Sequence, residues 1–286
     1  MQNSSAFHYD HTAPLDVQQA ADPRQQGGAT IHDITFASPI EGRVAAYLVE
    51  PPDHVEPPYA AVLWVHWFEP EAPTSNRTQF LDEALALAPS GVVSLLVDGF
   101  WATTPAHWAA YPHYRWRTDY EHDSSLCIKQ VVDLRRALDL LATRMDIDRQ
   151  RIACVGHDFG AMYGAIVAGV DTRVKAYALL AGTFTFGDWF LYGSDLDDEA
   201  EKDYIERMAW LAPVHYVKQA APARLLFQFA RADFYVPERA AMIFYDAASE
   251  PKEIRWYEAG HDLEDSHGTP RRDREAWLRE VLELRS

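Results

Sequence analysis

Cysteine is nearly missing from this 286-residue chain, which has only Cys127 and Cys154. Two cysteines make no disulfide framework. Cys154 sits in the apolar run Ile152-Ala153-Cys154-Val155 and reads as a small buried hydrophobe. Positive charge is also scarce: 26 Lys and Arg stand against 43 Asp and Glu, a formal net charge of -17. That balance argues against nucleic acid and anionic membranes as partners, since both need basic patches. No apolar run approaches membrane-spanning length. Residues 1–26 lack the basic start and apolar core of a signal peptide. The expected setting is the cytoplasm. Repeats and low-complexity tracts are absent after the first 30 residues. His8, His11 and His113 show no metal-ligand spacing with neighbouring Cys or Glu, so neither a metal nor a cofactor is expected.

What the chain does have is length enough for one large α/β core, and many aromatics, including nine Trp and fourteen Tyr. Residues 1–30 are polar and Gln-rich and end in Gly27-Gly28. They read as a loosely held arm, with Phe7, Tyr9 and Leu15 as docking points. Residues 31–286 read as a single domain. Segments 31–36 and 44–49 suggest an antiparallel pair. Further strands are expected at 60–65, 92–97, 151–155, 174–180, 224–229 and 253–257. A helix capped by Asn76 should run over 78–88. A longer one, capped by Asp123 or Ser124, should reach about residue 142, because Leu126, Val131, Leu134, Leu138 and Leu141 step at near-helical spacing. Others are expected at 160–168, 237–248 and 271–284. Strands alternating with helices predict an α/β fold with a mostly parallel central sheet and helices on both faces. Functional residues then gather at the carboxyl ends of the strands.

Two insertions break this rhythm, at 99–122 and 183–213. The first carries Trp101, Trp108, Tyr111, Tyr114 and Trp116. The second carries Trp189, Phe190 and Tyr192, then an acidic helix from about residue 197 to 211. Both leave the carboxyl ends of strands. Surface loops pinned by aromatics would be the plain reading, but the aromatic density favours a small cap over a pocket. Trp101, Trp108, Tyr111, Tyr114, Trp189 and Tyr192 are the expected lining, together with His66, Tyr163 and Tyr235.

The most specific signal is Gly156-His157-Asp158-Phe159-Gly160. It has the form Gly-x-nucleophile-x-Gly, with aspartate where serine is usual, between an apolar strand and a small-residue helix. That is the context of a nucleophile elbow; a plain turn would not need those flanks. Later strand exits supply Asp233 and His261, giving the order nucleophile, acid, histidine. The expected catalytic set is Asp158, His261 as base and Asp233 as the group that orients it. Asp233 as a mere turn residue, and His267 or Asp262 in place of His261, are the competing assignments. His157 should pack and hydrogen-bond beneath the elbow. Backbone N–H groups of Phe159 and Trp67 are the expected oxyanion donors. The Trp67 indole could also serve a leaving group or pack under the cap.

The elbow, the Asp233-x-x-Val236-Pro237 stretch and Ala259-Gly260-His261 together resemble the α/β-hydrolase superfamily over roughly residues 31 to 284. The short middle segment and Val97-Asp98-Gly99-Phe100 look most like its dienelactone-hydrolase-like branch. That branch has cysteine or serine where Asp158 stands. Aspartate in a Gly-His-Asp-x-Gly elbow is similar instead to epoxide hydrolases and haloalkane dehalogenases, although their large helical cap is not evident and their His-Gly motif is His66-Trp67 here.

This resemblance implies a hydrolase for a small-molecule substrate. Attack by Asp158 on an ester carbonyl would form an anhydride that expels carboxylate again. The main expectation is therefore displacement at saturated carbon, an epoxide or alkyl halide, through an aspartyl ester of Asp158. Epoxide opening needs an acid, with Tyr111, Tyr114, Tyr163, Tyr192 and Tyr235 as candidates. One alternative is a hydrolase of lactones or activated esters in which Asp158 is not a covalent nucleophile. Another is a non-catalytic ligand-binding scaffold. The sequence leaves a homo-oligomer open.

Overall fold

The computed structural model describes residues 4–69, 72–103, 118–191, 194 and 196–284. Nine strands form one sheet in the order β1-β2-β3-β5-β4-β6-β7-β8-β9. They are β1 (Gln18–Gln26), β2 (Ala29–Ala37), β3 (Arg43–Glu50), β4 (Tyr59–Val65), β5 (Val92–Val97), β6 (Ile147–His157), β7 (Ala176–Leu180), β8 (Arg224–Ala230) and β9 (Lys252–Tyr257). The strands from β5 through β9 run parallel, and β1, β2 and β3 add an antiparallel edge. Helices α1 (Leu81–Leu87), α2 (Tyr120–Thr143), α3 (Phe159–Val170), α4 (Gly187–Phe190), α5 (Asp198–Met208), α6 (Pro213–Val217), α7 (Glu238–Ala247) and α8 (Thr269–Val281), with short 3-10 turns at Ser4–Phe7, Ala88–Ser90, Phe100–Thr103 and Ala209–Leu211, complete the described elements.

The sequence pattern explains the layers. Strands β5 and β7 are buried along their whole length, and β4 nearly so. Parallel strands covered on both faces read as continuous apolar runs. Alternate residues then serve opposite cores. Ala61, Leu63 and Val65 join the core under α2 and α3, whereas Ala60, Val62 and Trp64 join the core with Ala84 of α1 and Trp277 of α8. Helix α2 starts earlier than the spacing suggested, because Asp119 Oδ1 accepts the N–H groups of Glu121 and His122. Asp123, expected as a cap, is buried and accepts from the Tyr204 hydroxyl at 2.9 Å.

The N-terminal segment is more ordered than the loose arm expected. Its Gln-rich part is the edge strand β1, exposed at every position. An edge solvated on both faces has no reason to alternate apolar and polar residues, so the strand left no periodic trace. Phe7 is fully buried, edge-on to Tyr216 at 5.8 Å. The Arg135 guanidinium donates to the Phe7 carbonyl at 2.6 Å, and Tyr9 donates to Asp139 at 2.9 Å.

Candidate active site

Asp158 stands between β6 and α3 with φ 56° and ψ -116°. That backbone is strained for any L-residue and persists only where neighbours over-determine it. They do: the Asp158 N–H donates to the Leu180 carbonyl at 2.8 Å, and the Met162 N–H donates to the Asp158 carbonyl at 3.0 Å. The two glycines are steric necessities. A Cβ on Gly156 would collide with the Gly160 carbonyl, and one on Gly160 with the Val65 carbonyl.

The three expected catalytic side chains converge. His261 Nδ1 donates to Asp233 Oδ2 at 2.8 Å, and His261 Nε2 lies 4.0 Å from Asp158 Oδ2. The longer contact is ionic rather than a hydrogen bond. Asp233 Oδ1 accepts the N–H groups of Tyr235 and Val236 at 2.8 and 2.9 Å, a local turn that aims the other oxygen at the ring. Asp158 is fully buried. Its Oδ2 accepts the Phe68 N–H at 3.0 Å, while its Oδ1 and His261 Nε2 have no hydrogen-bond partner among the described residues. Asp262 and His267, the competing assignments, lie exposed on the surface.

Burial raises the Asp158 carboxyl above the usual carboxylate range, with His261 and the Phe68 N–H opposing. Burial alone would lower His261, but the Asp158 and Asp233 carboxylates outweigh it and lift the ring to about 9. The His261 ring, set between Asp158 and Asp233, therefore favours its protonated form near neutral pH.

The oxyanion expectation needs correcting at Trp67. Its N–H donates to Gln79 Oε1 at 2.8 Å, so the backbone donor that faces the elbow after β4 is Phe68. Phe159 opens α3, where the first N–H groups lack intrahelical acceptors. The Trp67 ring stacks on His157 at 5.3 Å and His261 at 5.9 Å, and its indole N–H donates to Thr74 at 3.3 Å.

Three expected pocket residues form the wall behind the elbow instead. His66 is buried, and burial pushes its ring down to about 3, so it is neutral. Its Nε2 accepts the Gly99 N–H at 2.9 Å and its Nδ1 donates to the Trp67 carbonyl at 2.8 Å. Trp101 is buried, donates to that same carbonyl at 2.8 Å and stacks on Phe159 at 5.3 Å. Tyr163 is fully buried with its hydroxyl 3.3 Å from Cys127 Sγ. Each packs because its polar atoms find partners inside the protein. Trp189 and Tyr235 do flank the centre, with ring centroids 5.7 and 5.1 Å from His261. Trp108, Tyr111, Tyr114 and Tyr192 lie outside the described residues.

Sequence reading missed Phe68 and Gln79. Phe68 acts through its backbone, which no side-chain pattern reveals. Gln79 lies just before α1, where a polar residue attracts no notice.

A strained elbow at the carboxyl end of β6, with histidine and acid from the exits of β9 and β8, defines an α/β-hydrolase-fold enzyme, a hydrolase. Within that class, the chain belongs to the prolyl oligopeptidase family, whose profile matches residues 106–284. No curated protein sequence matches the chain. Among solved structures, it is similar to an acetyl xylan esterase from a Paenibacillus species at 20% identity, covering 99% of this chain and 92% of that one with a TM-score of 0.74. Acetyl xylan esterase 1 from a Thermoanaerobacterium species gives the same coverages, 99% and 92%, and the same TM-score of 0.74 at 14% identity. The esterase domain of a Rhodothermus marinus protein matches at 21% identity over 88% of this chain and 99% of that one, with a TM-score of 0.59. At these identities the structural likeness concerns the fold.

The family match overturns two expectations. The chain is placed in a peptidase family rather than in the dienelactone-hydrolase-like branch, and its likeness to epoxide hydrolases and haloalkane dehalogenases is confined to the aspartate of the elbow. Displacement at saturated carbon with Asp158 as covalent nucleophile goes with it. Peptidases and esterases on this fold run acyl transfer through Ser, His and Asp. This chain has Asp158 at the serine position. A buried carboxylate with raised proton affinity and one oxygen tied to a backbone N–H suits proton transfer better than attack. Among the described residues, no helix is long and apolar enough to cross a membrane.

Proposed function

We propose that the protein hydrolyses activated acyl compounds, lactones or small esters, by direct attack of water, with Asp158 as general base and His261 as general acid. The observation that carries this reading is His261 held between Asp233 at 2.8 Å and Asp158 at 4.0 Å, with Asp158 Oδ1 and His261 Nε2 both buried and without a hydrogen-bond partner among the described residues. Asp158 Oδ1 takes a proton from water as the water oxygen bonds to the acyl carbon. The Phe68 N–H holds Oδ2 and so orients the carboxylate. The Phe159 N–H, at the start of α3, stabilises the oxyanion. Collapse breaks the acyl–oxygen bond, and His261 Nε2 gives its proton to the departing alkoxide. The proton on Asp158 then returns to His261, which Asp233 keeps in the right tautomer. The structural neighbours described as acetyl xylan esterases and as an esterase domain support acyl chemistry. A small-molecule substrate and a cytoplasmic setting are part of the same reading.

The test is a single turnover in H2(18)O with a panel of p-nitrophenyl esters, simple acetates and lactones. The expected result is heavy oxygen in the acid product and none in the Asp158 peptide, with turnover falling about 100-fold or more in Asp158→Asn. Label in Asp158 would refute direct water attack. Saturable binding without turnover across the panel would leave only a ligand-binding scaffold.

A further inference from the structure

His157 sits inside the protein, one residue before Asp158, and takes no part in the proton transfers above. Its two ring nitrogens are both engaged. Nε2 donates to the main-chain carbonyl of His261 at 2.8 Å, and Nδ1 lies 2.6 Å from Gln79 Nε2. Since Nε2 must carry the proton to bond a carbonyl, Nδ1 is the acceptor and the Gln79 amide donates to it. The other end of that amide, Oε1, accepts the Trp67 N–H at 2.8 Å. The chain Trp67 N–H, Gln79, His157, His261 C=O thus spans three separate loops. It ties the loop after β4, which carries Phe68, to the elbow and to the loop carrying His261. Stacking runs alongside it: the Trp67 ring is 12° from parallel with His157 and 29° from parallel with His261.

We infer that Gln79 is a positioning residue: its amide completes the His157 tautomer that the His261 carbonyl selects and, through His157 and Trp67, sets the spacing between Asp158, the Phe68 N–H and His261. The direction of the amide is forced. Reversing it would place a donor against the Trp67 N–H and an acceptor against a lone pair. The charged neighbours of His157 are His261 and Arg274, both of which disfavour a proton on its ring, as does burial. Arg274 is itself neutralised by a two-pronged pair with Glu83. His261 faces Asp158, Asp233 and His157. Burial and these neighbours keep His157 neutral, and the Gln79 amide supplies the donor that its bare Nδ1 then requires.

This inference rests on the acyl-hydrolase reading for its meaning, but its test does not need turnover. Full-length protein labelled with 15N-histidine is titrated by NMR, with ring signals assigned from His157→Asn and His261→Asn. In Gln79→Met the relay is cut, Asp158 and His261 lose their register, and the His261 midpoint should fall by about one pH unit or more. In Gln79→Glu the carboxylate accepts at both ends, so His157 should gain a second proton and show imidazolium nitrogen shifts near pH 7. A merely structural role for Gln79 would lower the melting temperature without either change. Wild-type His261 and His157 signals in both folded variants would overturn the inference. If Gln79→Met does not fold, Gln79→Glu alone decides through the His157 signal. Where turnover is measurable, Gln79→Met should lower kcat about tenfold with KM nearly unchanged. A panel without turnover in the wild type would sink the acyl-hydrolase reading and leave the NMR result standing.

Discussion

Replacing Asp233 with Asn isolates the contribution of one carboxylate to the centre. The amide keeps an oxygen for the Tyr235 and Val236 N–H groups, so the turn should survive. The group facing His261 Nδ1 becomes a neutral NH2 in place of an oxygen at 2.8 Å. Nδ1 must then accept rather than donate, and the ring loses a charge partner. The move of His261 from an ordinary 6.5 to about 9 corresponds to on the order of 3 kcal/mol in favour of the charged ring. The two carboxylates supply more than this net amount, because they also offset the burial that lowers the ring, so removing one should take away at least about 1.5 kcal/mol and lower the midpoint by about one pH unit or more. Because the folded value is raised, this stabilisation is complete below 6.5 and is lost as the pH climbs through 9. The assay is urea unfolding at about pH 6 and about pH 9.5, together with the alkaline limb of the pH–rate profile. Wild-type protein should lose more stability across that window than Asp233→Asn does. The alkaline limb, marking loss of the His261 proton, should move to lower pH in the variant. An alkaline limb that stays near 9, with equal pH dependence of stability in the two proteins, would refute the assigned role of Asp233.

The remaining expectations concern the elbow, the core and the arm. In the wild type the acid limb of kcat/KM should lie above the ordinary carboxylate range, since burial raises Asp158, and Asp158→Asn should abolish that limb together with most turnover. Gly160→Ala forces a Cβ into the Val65 carbonyl and should cost more than about 3 kcal/mol or prevent folding, as read by urea denaturation. Arg274→Met leaves Glu83 as an uncompensated buried charge and should destabilise by about 3–5 kcal/mol in the same assay, whereas Arg274→Met with Glu83→Met should recover much of that loss. Phe7→Ala empties a buried site of the N-terminal segment and should cost about 3–5 kcal/mol, with faster proteolysis of residues 4–26 as the visible consequence.

Much of the architecture was legible because it depends on local pattern. The apolar runs of β4, β5 and β7 are buried on both faces and look alike in any context. The elbow was legible because only glycine tolerates the approach of Val65 and Gly160 carbonyls at those two positions. The order Asp158, Asp233, His261 was legible because strand exits share one rim. The strand β1 was not legible, since an exposed edge carries no periodicity.

Residue types and their spacing along the chain thus determined the layers, the tight bend and the three side chains that meet above it. The sequence also settled that the bend carries a carboxylate. Only the folded molecule decided which backbone amide serves that carboxylate: Trp67 N–H is turned to Gln79 and Phe68 N–H is turned to Asp158, a choice made by rotation about one loop. Only the fold decided that His66, Trp101 and Tyr163 are wall rather than lining, because each found its hydrogen-bond partner inside. Side-chain chemistry is written residue by residue, but hydrogen-bond direction and burial are relations between distant segments, and these exist only once packing has brought the segments together.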